Sequence, residues 1–149
     1  AAAGIAGPEI GRLQREGHLR RVLLEDMSET RPGQSFAIVM DTAPCPGAEE
    51  LAAGVDLLLV ESTFADEELA LAEAYLHLTA GGAGSLASTV DARRLILTHF
   101  SSRYPDVGPL LRQAKSRAGS IPVAAASDLD RYSLPRRRER TEPRERRTP

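Results

Sequence analysis

The sequence contains one cysteine, no tryptophan, three tyrosines and three phenylalanines in 149 residues. Cys45 has no second thiol to pair with, which excludes an internal disulfide and a thiolate zinc site and fits a reducing, cytoplasmic compartment. With aromatics at 4%, the core falls to Leu, Val, Ile and Ala. No apolar run reaches the roughly 18 residues that a membrane span requires, so no membrane partner is expected. Residues 1–7 are small and apolar, with neither a basic n-region nor an initiator methionine. They read as a chain entered midway, not as a signal peptide. Charge is unevenly spread along the chain. Residues 136–149 hold seven Arg and three Glu, a sum of +4, so the remainder carries −6 within the net −2. An acidic body of this kind does not announce a polyanion binder by charge alone.

Hydrophobic residues at 42% and charged residues at 27% give the balance of a globular chain. Four short apolar runs stand out: residues 35–40 (SFAIVM), 55–60 (VDLLLV), 94–98 (RLILT) and the weaker 121–126. Each is a few residues long and bounded by polar, Gly or Pro residues, which predicts strands. Nearly continuous apolarity predicts burial on both faces, as in a sheet covered by helices. The intervening segments 46–53, 66–76 and 107–118 read as helices. The second has Thr63 and Asp66 at capping-box spacing, and the third ends in basic residues before Gly119. Strands alternating with helices predict an α/β layered fold. The domain is expected over 1–135. Residues 136–149 lack apolar residues other than proline and are expected to be a disordered Arg-rich tail. That tail reads either as a solvated terminus or as an RNA-backbone contact, since Arg clusters pair with phosphate.

The informative positions are the strand exits. Asp41, Glu61, His99 and, more loosely, Asp128 follow the four runs. In layered α/β folds the carboxyl edge of the sheet is where sites are built. An Asp, a Glu and a His on one edge are the materials of a hydrolytic or metal site. Taken singly, each also has a plain structural reading. Asp41 before Pro44 can be a turn or cap residue, His99 a solvated edge histidine, and Glu61 a lead-in to the next helix. His18, in a polar stretch, reads as an exposed loop residue, and Cys45 as a packed or surface thiol.

Read together, the words around these residues are more specific. They are Gly7-Pro8-x-x-Gly11-x-Leu13 with Gly17, Asp41-Thr42 after a strand, Glu61-Ser62-Thr63-Phe64, His77-Leu78-Thr79-Ala80, Leu95-Ile96-Leu97-Thr98-His99-Phe100-Ser101-Ser102-Arg103-Tyr104, and Ala126-Ser127-Asp128-Leu129. In order and spacing they resemble the C-terminal half of the ribonuclease Z family, the tRNA 3′-processing endonucleases. The resemblance implies the C-terminal half of a metallo-β-lactamase αββα sandwich. It implies a zinc-dependent phosphodiesterase that cuts the 3′ trailer from precursor tRNA, with two zinc ions per complete site and a homodimeric assembly. By the same resemblance Asp41 bridges the two metals and His99 completes one zinc's shell. His77 faces the scissile phosphate and Glu61 orients it. Ser101 and Arg103 hold local structure or a substrate phosphate.

Some departures accompany the resemblance. The family's His-x-His-x-Asp-His cluster is absent, so this chain alone is expected to bind little zinc. Leu78 stands where the family carries a small hydroxyl residue. Gly81, Gly82 and Gly84 fall within an expected helix, each costing about 1 kcal/mol relative to Ala, which predicts a loose segment around His77. The alternative reading is a non-catalytic or fragmentary half of a metallo-β-lactamase-fold hydrolase that contributes structure or dimer contacts. A phosphodiester other than precursor tRNA remains open as the substrate.

Overall fold

The computed structural model describes residues 4–28 and 33–136. They fall into an N-terminal unit and a main unit that begins at Gly33. The N-terminal unit has helix α1 (Pro8–Glu16), the two-stranded antiparallel pair β1 (His18–Leu19) and β2 (Val22–Leu23), and the short helix α2 (Leu24–Met27). Pro8 starts α1, where its missing N–H is harmless. Gly17, at φ 75°, ends it with a bond from its N–H to the Leu13 carbonyl. His18 is exposed as expected, but it sits in β1, not in a loop. The expected Arg-rich tail lies outside the described residues except for Arg136.

The main unit is a four-stranded parallel sheet in the order β3 (Phe36–Val39), β4 (Leu57–Glu61), β5 (Leu95–Thr98), β6 (Val123–Ala125). The four expected runs supply the four strands, each trimmed by one to three residues, and β4 extends one residue further to take in Glu61. The helices are α3 (Pro46–Ala52), α4 (Leu69–Tyr75), α5 (Ala80–Thr89) and α6 (Gly108–Ala118). Each strand pairs with the next in sequence, so the crossovers all step the same way. Crossovers of one hand then put their helices on one face of the sheet. On that face Val39, Leu58, Val60, Leu95 and Leu97 form the core with Ala52, Ala83, Ala87 and Ala114.

The expectation of burial on both faces is corrected at the β3 edge. Phe36 is 63% and Ile38 50% exposed, alternating with buried Ala37 and Val39. Ile96, two strands inward on the same face, is buried. A run that looks doubly buried in sequence is therefore covered on only one side at this edge.

The expected helix 66–76 divides into a 3-10 turn (Asp66–Glu68) and α4. Thr63 and Asp66 do not form a capping box there. The Asp66 carboxylate instead accepts the Gly81 N–H at 2.7 Å, at the start of α5, where Thr79 also caps Gly82. The glycines of α5 do not loosen it. A Cβ on Gly84 would run into the Ala114 carbonyl of α6, and one on Gly81 into the Asp66 carboxylate. They are contact points that let two helices and a loop approach closely. Gly84→Ala is therefore expected to destabilise the chain by about 1–3 kcal/mol through overpacking. Gly47→Ala, where the added methyl meets nothing within 4 Å, is expected to be neutral or slightly stabilising. Thermal unfolding of both variants checks this; equal midpoints would remove the close-packing argument.

Candidate functional site

The carboxyl ends of β3, β4 and β5 lie side by side, and the candidate residues sit on them. Asp41 and His99 come within two residues of the ends of β3 and β5. Both adopt the left-handed backbone region, at φ 49° and 54°. For a non-glycine residue this conformation is uncommon and costly, and such positions cluster at functional sites. The bend turns each side chain over the sheet edge: His99 Nε2 lies 3.4 Å from Asp41 Oδ1. His77 arrives from the segment between α4 and α5. Leu76, at φ 58°, ends α4, and the His77 N–H returns to the Ala72 carbonyl at 2.8 Å. Beyond it, Thr79 pairs in parallel with Phe64 as an isolated bridge. One ligand-capable atom from each of Asp41, His77 and His99 lies within 4.8 Å of the others. The two imidazoles are 5.5 Å apart between ring centroids.

Glu61, the last residue of β4, is fully buried at the hub of this group. Its Oε1 accepts the Thr42 N–H at 2.6 Å. Its Oε2 accepts the Thr63 hydroxyl at 2.6 Å and lies 2.7 Å from His77 Nδ1. A carboxylate has no proton to give, so His77 Nδ1 donates and its Nε2 is left for the open side. Three charge-assisted bonds compensate a buried carboxylate that would otherwise be costly. Thr63 Oγ1 also lies 2.9 Å from His99 Nδ1. Sequence reasoning missed Thr63. The signal was its i, i+2 spacing from Glu61, which puts both side chains on one face of an extended segment.

Ser101 and Arg103 hold the loop after β5. Arg103 NH1 pairs with Glu68 Oε1 at 2.6 Å, its Nε reaches Ser101 Oγ at 3.2 Å, and its guanidinium stacks over the Phe64 ring. The Tyr104 hydroxyl donates to Glu68 and accepts the Ala65 N–H at 2.8 Å. Asp128 does not join the group of three; it is exposed, in the turn where Asp130 accepts the Ser127 N–H. Leu78 is buried in the core, facing away from solvent. Cys45 is exposed, and hydrogen bonding with the Thr42 hydroxyl draws its thiol pKa below the usual cysteine value.

The donor set fits a divalent cation in part. In a tetrahedral zinc site, ligand atoms about 2.0–2.2 Å from the metal are roughly 3.3–3.5 Å from each other. The Asp41–His99 separation is in that range. A carboxylate oxygen and imidazole nitrogens are zinc-type ligands. Among the described residues this is the one group of three or more His, Cys, Asp or Glu that could hold a metal. Three ligands suffice for one ion at most, not for a two-metal centre.

Comparison with known proteins gives the family and the fold. Residues 22–100 match the beta-lactamase superfamily domain. The chain is 53% identical over 142 residues to a protein named ribonuclease Z from Nocardia farcinica and 50% identical over 137 residues to one from Streptomyces avermitilis. These matches cover 93% and 92% of this chain but 46% of each relative, so the chain spans about half the length of the curated relatives it matches. Among solved structures, the short form of human tRNase Z superposes with TM-score 0.54 at 28% identity, over 69% of this chain and 34% of that one. The metallo-beta-lactamase fold protein YhfI from Bacillus subtilis superposes with TM-score 0.57 at 22% identity, over 62% and 37%, a likeness of fold.

Proposed function

We propose, from the premise that the chain belongs to the beta-lactamase superfamily, that it is the C-terminal half of a ribonuclease Z-like endoribonuclease that removes the 3′ trailer from precursor tRNA. The observation that carries this reading is the convergence of Asp41, His77 and His99 at one sheet edge around buried Glu61. Relatives named ribonuclease Z over nearly the whole of this chain support the substrate class.

In this reading Asp41 and His99 hold metal, and His77 with Glu61 moves a proton. When bound, a pair of zinc ions polarises the phosphodiester and lowers the pKa of water. Asp41, exposed at the edge, presents a carboxylate that would hold metal together with His99 Nε2. His77 keeps its Nδ1–H on Glu61, so its Nε2 is the atom that delivers a proton to the leaving ribose oxygen. The buried carboxylate holds the ring and its Nδ1 proton in place, the arrangement a proton-transferring histidine needs. Arg103, engaged with Glu68 and Ser101, acts by holding the loop that presents His99; any contact of Ser101 or Arg103 with substrate phosphate is subordinate to that. The working protein is cytoplasmic and homodimeric.

A second reading is favoured by one observation. Among the described residues at most three side chains, Asp41, His77 and His99, could hold a metal, where a two-zinc site needs more; on this second reading the chain by itself is a non-catalytic half that contributes fold or dimer contacts. One experiment separates the two. Precursor tRNA is offered to this chain with zinc, with and without a chain bearing the His-x-His-x-Asp-His half. The expected result is little zinc binding and no cleavage by the chain alone, with accurate 3′ cleavage on complementation. No cleavage from the mixture, with both chains folded and zinc-loaded, would abandon the nuclease reading.

A further inference from the structure

We infer that Thr63 is a positioning residue of the metal centre: its hydroxyl ties His99 to the buried carboxylate that holds His77, and fixes His99 with its proton on Nδ1 and its Nε2 lone pair toward Asp41. The inference rests on the reading of His99 as a metal ligand. Thr63 Oγ1 lies 2.6 Å from Glu61 Oε2, 2.9 Å from His99 Nδ1 and 3.1 Å from the His99 carbonyl. A hydroxyl has one proton and two lone pairs. Glu61 Oε2 and the carbonyl can only accept, so the single Thr63 proton is committed to one of them. The shorter, charge-assisted contact is to Glu61. Turning the proton toward His99 instead would set an oxygen lone pair against a carboxylate oxygen 2.6 Å away. His99 Nδ1 must then be the donor to Thr63. In the neutral ring the lone pair is left on Nε2, the atom 3.4 Å from Asp41 Oδ1.

The arrangement makes one carboxylate serve both histidines. Glu61 touches His77 directly and reaches His99 through Thr63. Thr63 is 7% exposed, which leaves little room for water to replace its hydroxyl. Partners of this kind, behind a metal-binding histidine, set its tautomer and ring orientation. Their loss typically weakens metal binding about 10- to 100-fold.

The test uses long-range proton–nitrogen NMR of the three histidines of the 149-residue chain without metal, and a zinc titration of the same chain complemented with the His-x-His-x-Asp-His half. Wild-type His99 is expected to carry its ring proton on Nδ1 when neutral. Thr63→Val, nearly the same shape without the hydroxyl, is expected to shift His99 toward the Nε2–H form. It should also raise the zinc midpoint about 10- to 100-fold, while Thr63→Ser restores both. Wild-type His99 with its proton on Nε2 would overturn the inference without any variant, so a poorly folding valine protein does not shield it. An unchanged zinc midpoint in folded Thr63→Val would overturn it as well. Failure of the complemented protein to cleave precursor tRNA, with the tautomer and midpoints as expected, would sink the ribonuclease reading and support the role of Thr63.

Discussion

His77→Ala is expected to slow precursor tRNA cleavage by the complemented protein about 100- to 10,000-fold, the range of a lost general acid, with zinc content close to wild type. His99→Ala is expected to fail in the other order, losing zinc first and activity as a consequence. The two rings are 5.5 Å apart and both lie within reach of Asp41, so position alone does not separate their roles. Their partners do. His77 Nδ1 is bonded directly to the buried carboxylate of Glu61, which fixes the ring with Nε2 toward the open side. His99 Nδ1 faces a neutral hydroxyl, which orients the ring with Nε2 toward Asp41. Zinc measured by atomic absorption, beside single-turnover cleavage, reads the two effects separately. Equal zinc loss in both variants would make His77 a third ligand and remove it as the proton donor.

The gathering of these residues at one edge was largely legible in the sequence, because strand exits are readable from pattern, whereas their separate roles are what the family resemblance implies. Apolar runs ending at Asp41, Glu61 and His99 placed three groups on one edge, and the parallel order β3-β4-β5 makes those edges neighbours. Side-chain direction was not legible. The left-handed backbone at Asp41 and His99 turns both toward a common point, and nothing in the local sequence requires that conformation. Thr63 reads as a helix cap because Asp66 stands three residues after it, while its partner in the extended segment is Glu61, two residues before it. Only the pairing of Phe64 with Thr79 decides which applies. The α5 glycines were read as a propensity cost, whereas contacts with Asp66 and Ala114, 15 and 30 residues away in sequence, explain them. The bare β3 edge is a topological fact. Phe36 and Ile38 are as apolar as the covered residues beside them, and only the one-sided placement of the helices leaves them exposed. A second sheet against that face would complete the layered sandwich that the superfamily fold implies.

Glu61→Gln keeps the shape of the hub and changes its proton arithmetic, and it is expected to damage both stability and chemistry. Three donors converge on the carboxylate: the Thr42 N–H on Oε1, and the Thr63 hydroxyl and His77 Nδ1–H on Oε2. Glutamine offers one acceptor oxygen and one NH2. With the oxygen toward His77, the NH2 faces the Thr42 N–H, and two donors oppose each other in a fully buried site. With the oxygen toward Thr42, the NH2 forces His77 to accept at Nδ1, which puts its proton on the wrong nitrogen. Either choice leaves a conflict worth about 1–3 kcal/mol, a fall of roughly 2–10 °C in the unfolding midpoint for a chain of this length. The second also abolishes the orientation that delivers a proton from Nε2. Misplacing a catalytic histidine's tautomer by an acid-to-amide change costs about 10,000-fold in the serine-protease triad. A loss of about 100- to 10,000-fold is therefore expected here. The metal is reached only through Thr63, so zinc affinity should fall less than the rate. A Gln variant with the wild-type midpoint and the wild-type rate would mean that Glu61 is neither the hub of the fold at this edge nor the partner of His77.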